Sequence, residues 1–238
     1  MFAGQVTSFF LFLSPGQMMW TIHKRKDVED FMPIPLVAGV MNCLMWVFYG
    51  LPFVTKSNVL IVTINSLGLA MELFYVAVYY YYAHLQKKRW KSRTYVMLMF
   101  IVIIVAFILF AGLTLEVFPR HSRGTIAGWA STIFSICLYA SPLSAMWTVW
   151  TTKSVEYLPL LICCANLLNG TTWAGYALIR MDYFVLVSNG IGAILGVLQL
   201  LLYATFRKPG GGDDDKKKSP QKQDLELGSI GNLTRVGN

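Results

Sequence analysis

Charge is scarce in this chain. Only 13% of its 238 residues are Asp, Glu, Lys or Arg, against 55% hydrophobic residues, and that balance excludes an ordinary soluble domain. Histidine is scarcer still. His23, His84 and His121 lie far apart at predicted helix ends, no Ser/His/Asp or Cys/His set converges on them, and no glycine-rich phosphate loop is present. The sequence therefore offers no catalytic constellation, no cofactor site and no metal site, and the chain is not expected to be an enzyme. The four cysteines, Cys43, Cys137, Cys163 and Cys164, fall inside apolar stretches without disulfide or ligand spacing and read as small packing residues. The net charge of +8 comes from basic residues gathered in predicted loops, which argues for membrane orientation and against a nucleic-acid partner.

What is present is long apolar sequence. A helix crossing about 30 Å of hydrocarbon needs about 20 apolar residues. Seven stretches meet that requirement: residues 2–22, 33–53, 58–82, 95–117, 125–150, 157–179 and 183–206. The expected fold class is thus an all-α membrane protein with the lipid bilayer as its surroundings. The first stretch lacks the basic flank and the small-x-small cleavage site of a signal peptide, and is read as a retained span. Lys24, Arg25, Lys26, Lys87, Lys88, Arg89, Lys91, Arg93, Lys153, Arg207 and Lys208 fall on one side of the predicted membrane; Lys56, Arg120, Arg123 and Arg180 fall on the other. The positive-inside rule then places the N-terminus outside and the C-terminus in the cytoplasm. Residues 207–238 change to glycine and alternating charge blocks, the composition of a disordered cytoplasmic tail.

The chain also repeats itself. Residues 11–29 and 138–156, related by a shift of 127, share nine of nineteen positions, among them Ser14/Ser141, Pro15/Pro142, Met19/Met146, Trp20/Trp147 and Lys26/Lys153. Pro35 and Asn65 recur as Pro159 and Asn189 at a shift of 124, and each Asn is followed three residues later by a glycine, Gly68 or Gly192. Two copies of a three-helix unit and an odd helix require a 3+1+3 division with parallel repeats. The first unit spans residues 1–84, a loop and linker helix 85–124, and the second unit 125–206.

The polar residues that pair across the copies are the candidate site. Asn65 and Asn189 each offer two donors and an acceptor to hydroxyls. Asn42 with Trp46, and Asn169 with Trp173, sit four residues apart on one helical face. Amides beside aromatic faces suit a sugar, whose ring has an apolar C–H face and a hydroxylated rim. Pro15, Pro35, Pro142 and Pro159 lie towards the cytoplasmic ends and are expected to weaken the helices there as paired hinges. At the other end Tyr49 and Tyr176 approach the outer surface, where Lys56 and Asp182 carry opposite charges suited to an outer gate. Glu72 is the one acidic residue well inside a span, which leaves a proton-coupled transporter as an alternative. A seven-helix receptor is a second alternative, disfavoured by the duplication.

The motifs LFLSP, NCLMWVFYGLP, TINSLG, YASPLS, KSVEYLP and VSNGIG, spread over residues 2–207, resemble the SWEET sugar transporters of plants. That resemblance implies bidirectional facilitated diffusion of mono- or disaccharides by alternating access, without ion coupling, in the plasma membrane or alternatively the vacuolar membrane, and association into a homo-oligomer such as a trimer. It implies substrate contacts from Asn65, Asn189 and Trp173, hinges at the four prolines, and size selection at Leu11, Asn42, Leu138 and Asn169. Bulk at those four positions resembles the hexose-preferring members more than the sucrose exporters. Gln5 stands where the family usually has Asn, and the start of the chain close to Ser14 predicts a short outer end of the first helix.

Overall fold

The computed structural model describes residues 2–28, 31–56, 58–85 and 90–207. Residues 208–238, where the tail is expected, and the basic loop 86–89 lie outside the described residues. Among those described, nine α-helices follow one another: α1 (Phe2–Leu13), α2 (Gly16–Arg25), α3 (Ile34–Gly50), α4 (Val59–Leu85), α5 (Trp90–Val117), α6 (Arg120–Leu138), α7 (Ala140–Thr152), α8 (Leu160–Arg180) and α9 (Tyr183–Phe206). They make seven rods, because α1 runs into α2 through Ser14 and Pro15, and α6 into α7 through Tyr139. Val59–His84, Arg93–Val117, Arg120–Thr152 and Tyr183–Phe206 are long and apolar enough to cross a membrane, whereas α3 is apolar but shorter. The protein is an all-helical, multi-pass membrane protein.

The two breaks have one cause. Proline has no N–H, so Pro15 cannot donate to Leu11 and Pro142 cannot donate to Leu138. At the first break Ser14 N donates to Leu11 O in its place, at 3.0 Å; at the second Tyr139 N donates to Ile136 O at 3.0 Å, and one turn of each rod tightens. The break frees the carbonyl of Phe12, which accepts from the Tyr75 hydroxyl at 2.9 Å. Pro35 and Pro159 behave differently from the expected hinges. Pro35 lies in the first turn of α3 and Pro159 precedes α8, where the missing N–H leaves no intrahelical bond unmade. Two of the four prolines kink a rod; the other two start one.

Copies match at their ends as well. Lys26 and Lys153 close α2 and α7 in the left-handed conformation, with φ of 56° and 55°. Each then lays its ammonium over the ring near the end of its copy's third rod, Lys26 over Tyr82 at 5.4 Å and Lys153 over Phe206 at 4.6 Å.

Within a copy α3 packs on α4 and α8 on α9, and between copies α3 meets α6 and α1 meets α8. The α8–α9 crossing brings backbones together: a Cβ on Gly170 would lie 2.6 Å from Ala193 N. Helix α5 lies against α3 and α4, and leaves Leu98, Ile101, Val105, Ile108, Leu109 and Leu113 exposed, as an apolar helix facing lipid does.

Candidate functional site

A cavity of about 270 Å³ lies between the copies. Asn42, Asn65, Asn169, Asn189, Trp46, Trp173, Leu11 and Leu138, the eight residues singled out from sequence as a pocket, all line it. Asn65 and Asn189 sit in the second turn of α4 and α9, near the starts of those helices. Ser8, Phe12, Ser135, Tyr139 and Ser188 line it too and were not anticipated.

Two hydrogen-bonded chains, related by the repeat, shape this cavity. Trp46 Nε1 donates to Ser135 Oγ at 2.9 Å, and Ser135 Oγ donates to Asn42 Oδ1 at 2.9 Å. Trp173 Nε1 donates to Ser8 Oγ at 2.8 Å, and Ser8 Oγ donates to Asn169 Oδ1 at 2.7 Å, with Thr7 Oγ1 3.0 Å from the same oxygen. An indole nitrogen only donates, so each serine oxygen accepts there and its own hydrogen points to the asparagine. That direction fixes the amide: Oδ1 of Asn42 and Asn169 is taken, and Nδ2 is the group left to the cavity.

Asn65 and Asn189 are fixed the other way round. Their Nδ2 atoms donate to Ile61 O at 2.9 Å and Val185 O at 3.0 Å, one turn back along their own helices. Asn189 Nδ2 also lies 3.3 Å from Ser188 Oγ. Their Oδ1 atoms remain as acceptors. The cavity thus presents a pair of donors and a pair of acceptors, beside the two nearly buried indoles. Three residues beyond each of these asparagines, a glycine seats an aromatic ring from the kinked rod. A Cβ on Gly68 would lie 2.3 Å from Phe12 Cζ, and on Gly192 2.6 Å from the Tyr139 hydroxyl oxygen.

Towards the N-terminal face a second symmetric pair of bonds joins the copies. Tyr49 donates to Asp182 Oδ1 at 2.9 Å and Tyr176 to Asn58 Oδ1 at 2.7 Å. Asp182 and Asn58 also accept from the first turns of α9 and α4, through Val185 N at 3.2 Å and Ile61 N at 3.4 Å. Each tyrosine stands edge-on to the tryptophan below it, at 5.5 Å in both copies. Where an ion pair between Lys56 and Asp182 was expected, Asp182 accepts from Tyr49, and Lys56 lines a separate open groove with Arg120 and His121. At the other face α2 packs on α4 and α7 on α9, each within its own copy, with Pro15 and Pro142 half-buried.

Glu72 lies outside the cavity lining. It is buried between α3 and α4 with Oε2 unpartnered, in the space a Cβ on Gly39 would occupy, and its repeat counterpart is Gly196. Gln5 on α1 donates to Leu60 O at 2.8 Å and pins α1 to the start of α4.

Known proteins match this arrangement in sequence and in fold. The family described as "Sugar efflux transporter for intercellular exchange" matches residues 1–89 and 125–210. The bidirectional sugar transporter SWEET7b of Oryza sativa subsp. indica is 38% identical over 98% of this chain and 83% of its own length. SWEET4 of Arabidopsis thaliana, likewise named a bidirectional sugar transporter, is 42% identical over 86% of this chain and 80% of its own. The 3.7 Å structure of a eukaryotic SWEET transporter superposes with a TM-score of 0.82 at 32% identity, covering 86% of this chain and 94% of that one. Members of this family are sugar transporters rather than enzymes, and by the family match, the relatives and the shared fold together the chain belongs to it, the SWEET family.

Proposed function

We propose that this protein is a uniporter that lets a hexose run down its gradient in either direction by alternating access. The observation that carries this reading is the donor and acceptor pattern of the cavity between the copies. A sugar hydroxyl both donates and accepts, so it pairs with an Asn65 or Asn189 oxygen and with an Asn42 or Asn169 nitrogen at once. Trp46 and Trp173 supply the flat apolar faces for the ring. The volume of about 270 Å³ falls just under the usual range of about 300–1,000 Å³ for ligand pockets and suits one sugar ring better than two. Leu11, Leu138, Asn42 and Asn169 line it with side chains of some bulk, which supports one ring over two.

In this reading the units 1–84 and 125–206 rock about the kinks at Pro15 and Pro142, with 85–124 joining them. The tyrosine pair shuts the N-terminal face, read as the outer one, while the faces bearing α2 and α7 admit sugar. The plasma membrane is the proposed location, with the basic residues around Lys26 and Lys153 on its cytoplasmic side. Among the described residues no ionisable side chain lines the cavity apart from Tyr139, and Glu72 stands apart from it, which supports uniport over proton coupling.

Labelled glucose and sucrose counterflow in proteoliposomes tests the proposal. Glucose exchange that ignores an imposed proton gradient and exceeds sucrose exchange is the expected result. Sugar accumulation driven by the gradient would replace uniport with symport, and equal rates for both sugars would remove the hexose assignment.

A further inference from the structure

Every bond in the two Trp–Ser–Asn chains has one end in each copy. Trp46 and Asn42 lie on α3 while Ser135 lies on α6; Trp173 and Asn169 lie on α8 while Ser8 lies on α1. We propose that Ser8 and Ser135 are positioning residues that turn the Asn42 and Asn169 amides towards the sugar only while the N-terminal face is closed, so that the protein binds sugar more tightly in the state open to the opposite face. The inference rests on the transport reading above and adds to it a source of unequal affinity on the two sides.

Opening the N-terminal face means parting α3 from α6 and α1 from α8, the contacts that join the copies there. Both bonds of each chain then break together. A serine freed in this way turns its hydrogen to a carbonyl of its own helix, as buried helical serines do. The asparagine it held is then no longer directed and shows oxygen or nitrogen to the cavity indifferently. Asn65 and Asn189 respond differently, because Ile61 O and Val185 O belong to their own helices and move with them. The acceptors of the site persist through the cycle, and the donors are conditional on closure. Thr7 Oγ1, whose one hydrogen is shared between Gly4 O at 3.1 Å and Asn169 Oδ1 at 3.0 Å, gives Asn169 a further donor from α1, so Ser135 contributes more than Ser8.

Glucose influx and efflux, each measured into a sugar-free compartment in a cell without its own hexose uptake, reads this directly. A passive carrier has the same ratio of maximal rate to KM in both directions, so tighter binding at one face shows as a lower KM coupled to a lower maximal rate there. In the wild type, KM at the face opposite the N-terminus is expected to be about tenfold lower than at the N-terminal face, the factor that two ordinary hydrogen bonds give. Ser8→Ala with Ser135→Ala raises that lower KM about tenfold and moves the other less than twofold, while Ser8→Thr with Ser135→Thr, which keep the hydroxyls, retain the asymmetry. Competition by monofluoro- and monodeoxyglucoses gives a second reading. Fluorine accepts but does not donate, so the wild type prefers the fluoro sugar at the hydroxyl facing Asn42 or Asn169, and the double alanine variant loses that preference. Equal KM values at the two faces of the wild type, or alanine variants that keep the asymmetry and the fluoro preference, overturn the inference while leaving uniport intact. A wild type that moves no glucose overturns both.

Discussion

The hydroxyl of Tyr49 donates to the carboxylate of Asp182 at 2.9 Å, and this bond joins the two copies at the N-terminal face. Its counterpart, Tyr176 to Asn58 at 2.7 Å, has the same geometry with a neutral acceptor. A hydrogen bond to a charged group contributes about 1.5–3 kcal/mol, against about 0.5–1.5 kcal/mol for a neutral pair. Tyr49→Phe should therefore open the N-terminal face more than Tyr176→Phe does. Spin labels at positions 53 and 179, on the two copies at that face, would report a larger population of the longer distance in Tyr49→Phe. Equal shifts in both variants would show that the charge on Asp182 adds nothing to closure.

Prolines should divide into two classes. Pro15→Ala and Pro142→Ala restore a backbone donor inside a kinked rod and stiffen it, and glucose exchange should slow about tenfold if the stiffening adds about 1.4 kcal/mol to the barrier. Pro35→Ala and Pro159→Ala alter only helix starts, and exchange should stay within twofold of the wild type. The initial rate of counterflow checks all four. Four equal losses would mean that kinking is not what these residues supply.

Gly68 and Gly192 should tolerate no side chain. A methyl group at either position overlaps the ring of Phe12 or the hydroxyl of Tyr139, and overpacking of this kind costs about 1–3 kcal/mol. Gly68→Ala should lower the thermal unfolding midpoint in detergent, and Phe12→Leu added to it should recover part of the loss. If the second substitution deepened the loss, Phe12 would not be the group that Gly68 accommodates.

Glu72 should prove dispensable for transport. Glu72→Gln keeps the shape and replaces an ionisable buried carboxyl with a neutral amide, so no charge has to be buried and stability should be equal or higher. Glucose exchange should remain, with the same response to pH as the wild type. Loss of a proton-driven component in the variant would restore the symport reading.

The sequence made the pocket legible because identical residues recur at fixed shifts. Trp46 and Trp173, Asn42 and Asn169, and Asn65 and Asn189 all recur in this way. Ser8 and Ser135 recur at the same shift of 127 and were passed over, since a serine in a span ordinarily bonds to its own helix; only the packing of α1 on α8 and α3 on α6 gives these two a partner elsewhere. Asn58 was missed for another reason. Its counterpart is Asp182, and no identity marks a pair that shares a cap and a tyrosine but not a side chain. Opposite charge suggested Lys56 as the partner of Asp182, where a hydroxyl one rod away does the bonding. Helix starts decided the prolines: the spans read from hydropathy run through residues 35 and 159, and the helices begin there instead.

If the amides between the copies hold the sugar, removing Asn65 and Asn189 together abolishes its transport. Labelled glucose counterflow would be measured in proteoliposomes for the wild type and for the variant with Asn65→Ala and Asn189→Ala, after both are shown to be folded by their unfolding midpoints. The expected result is exchange in the wild type and its loss in the double variant. A folded double variant that exchanges glucose at the wild-type rate would contradict it.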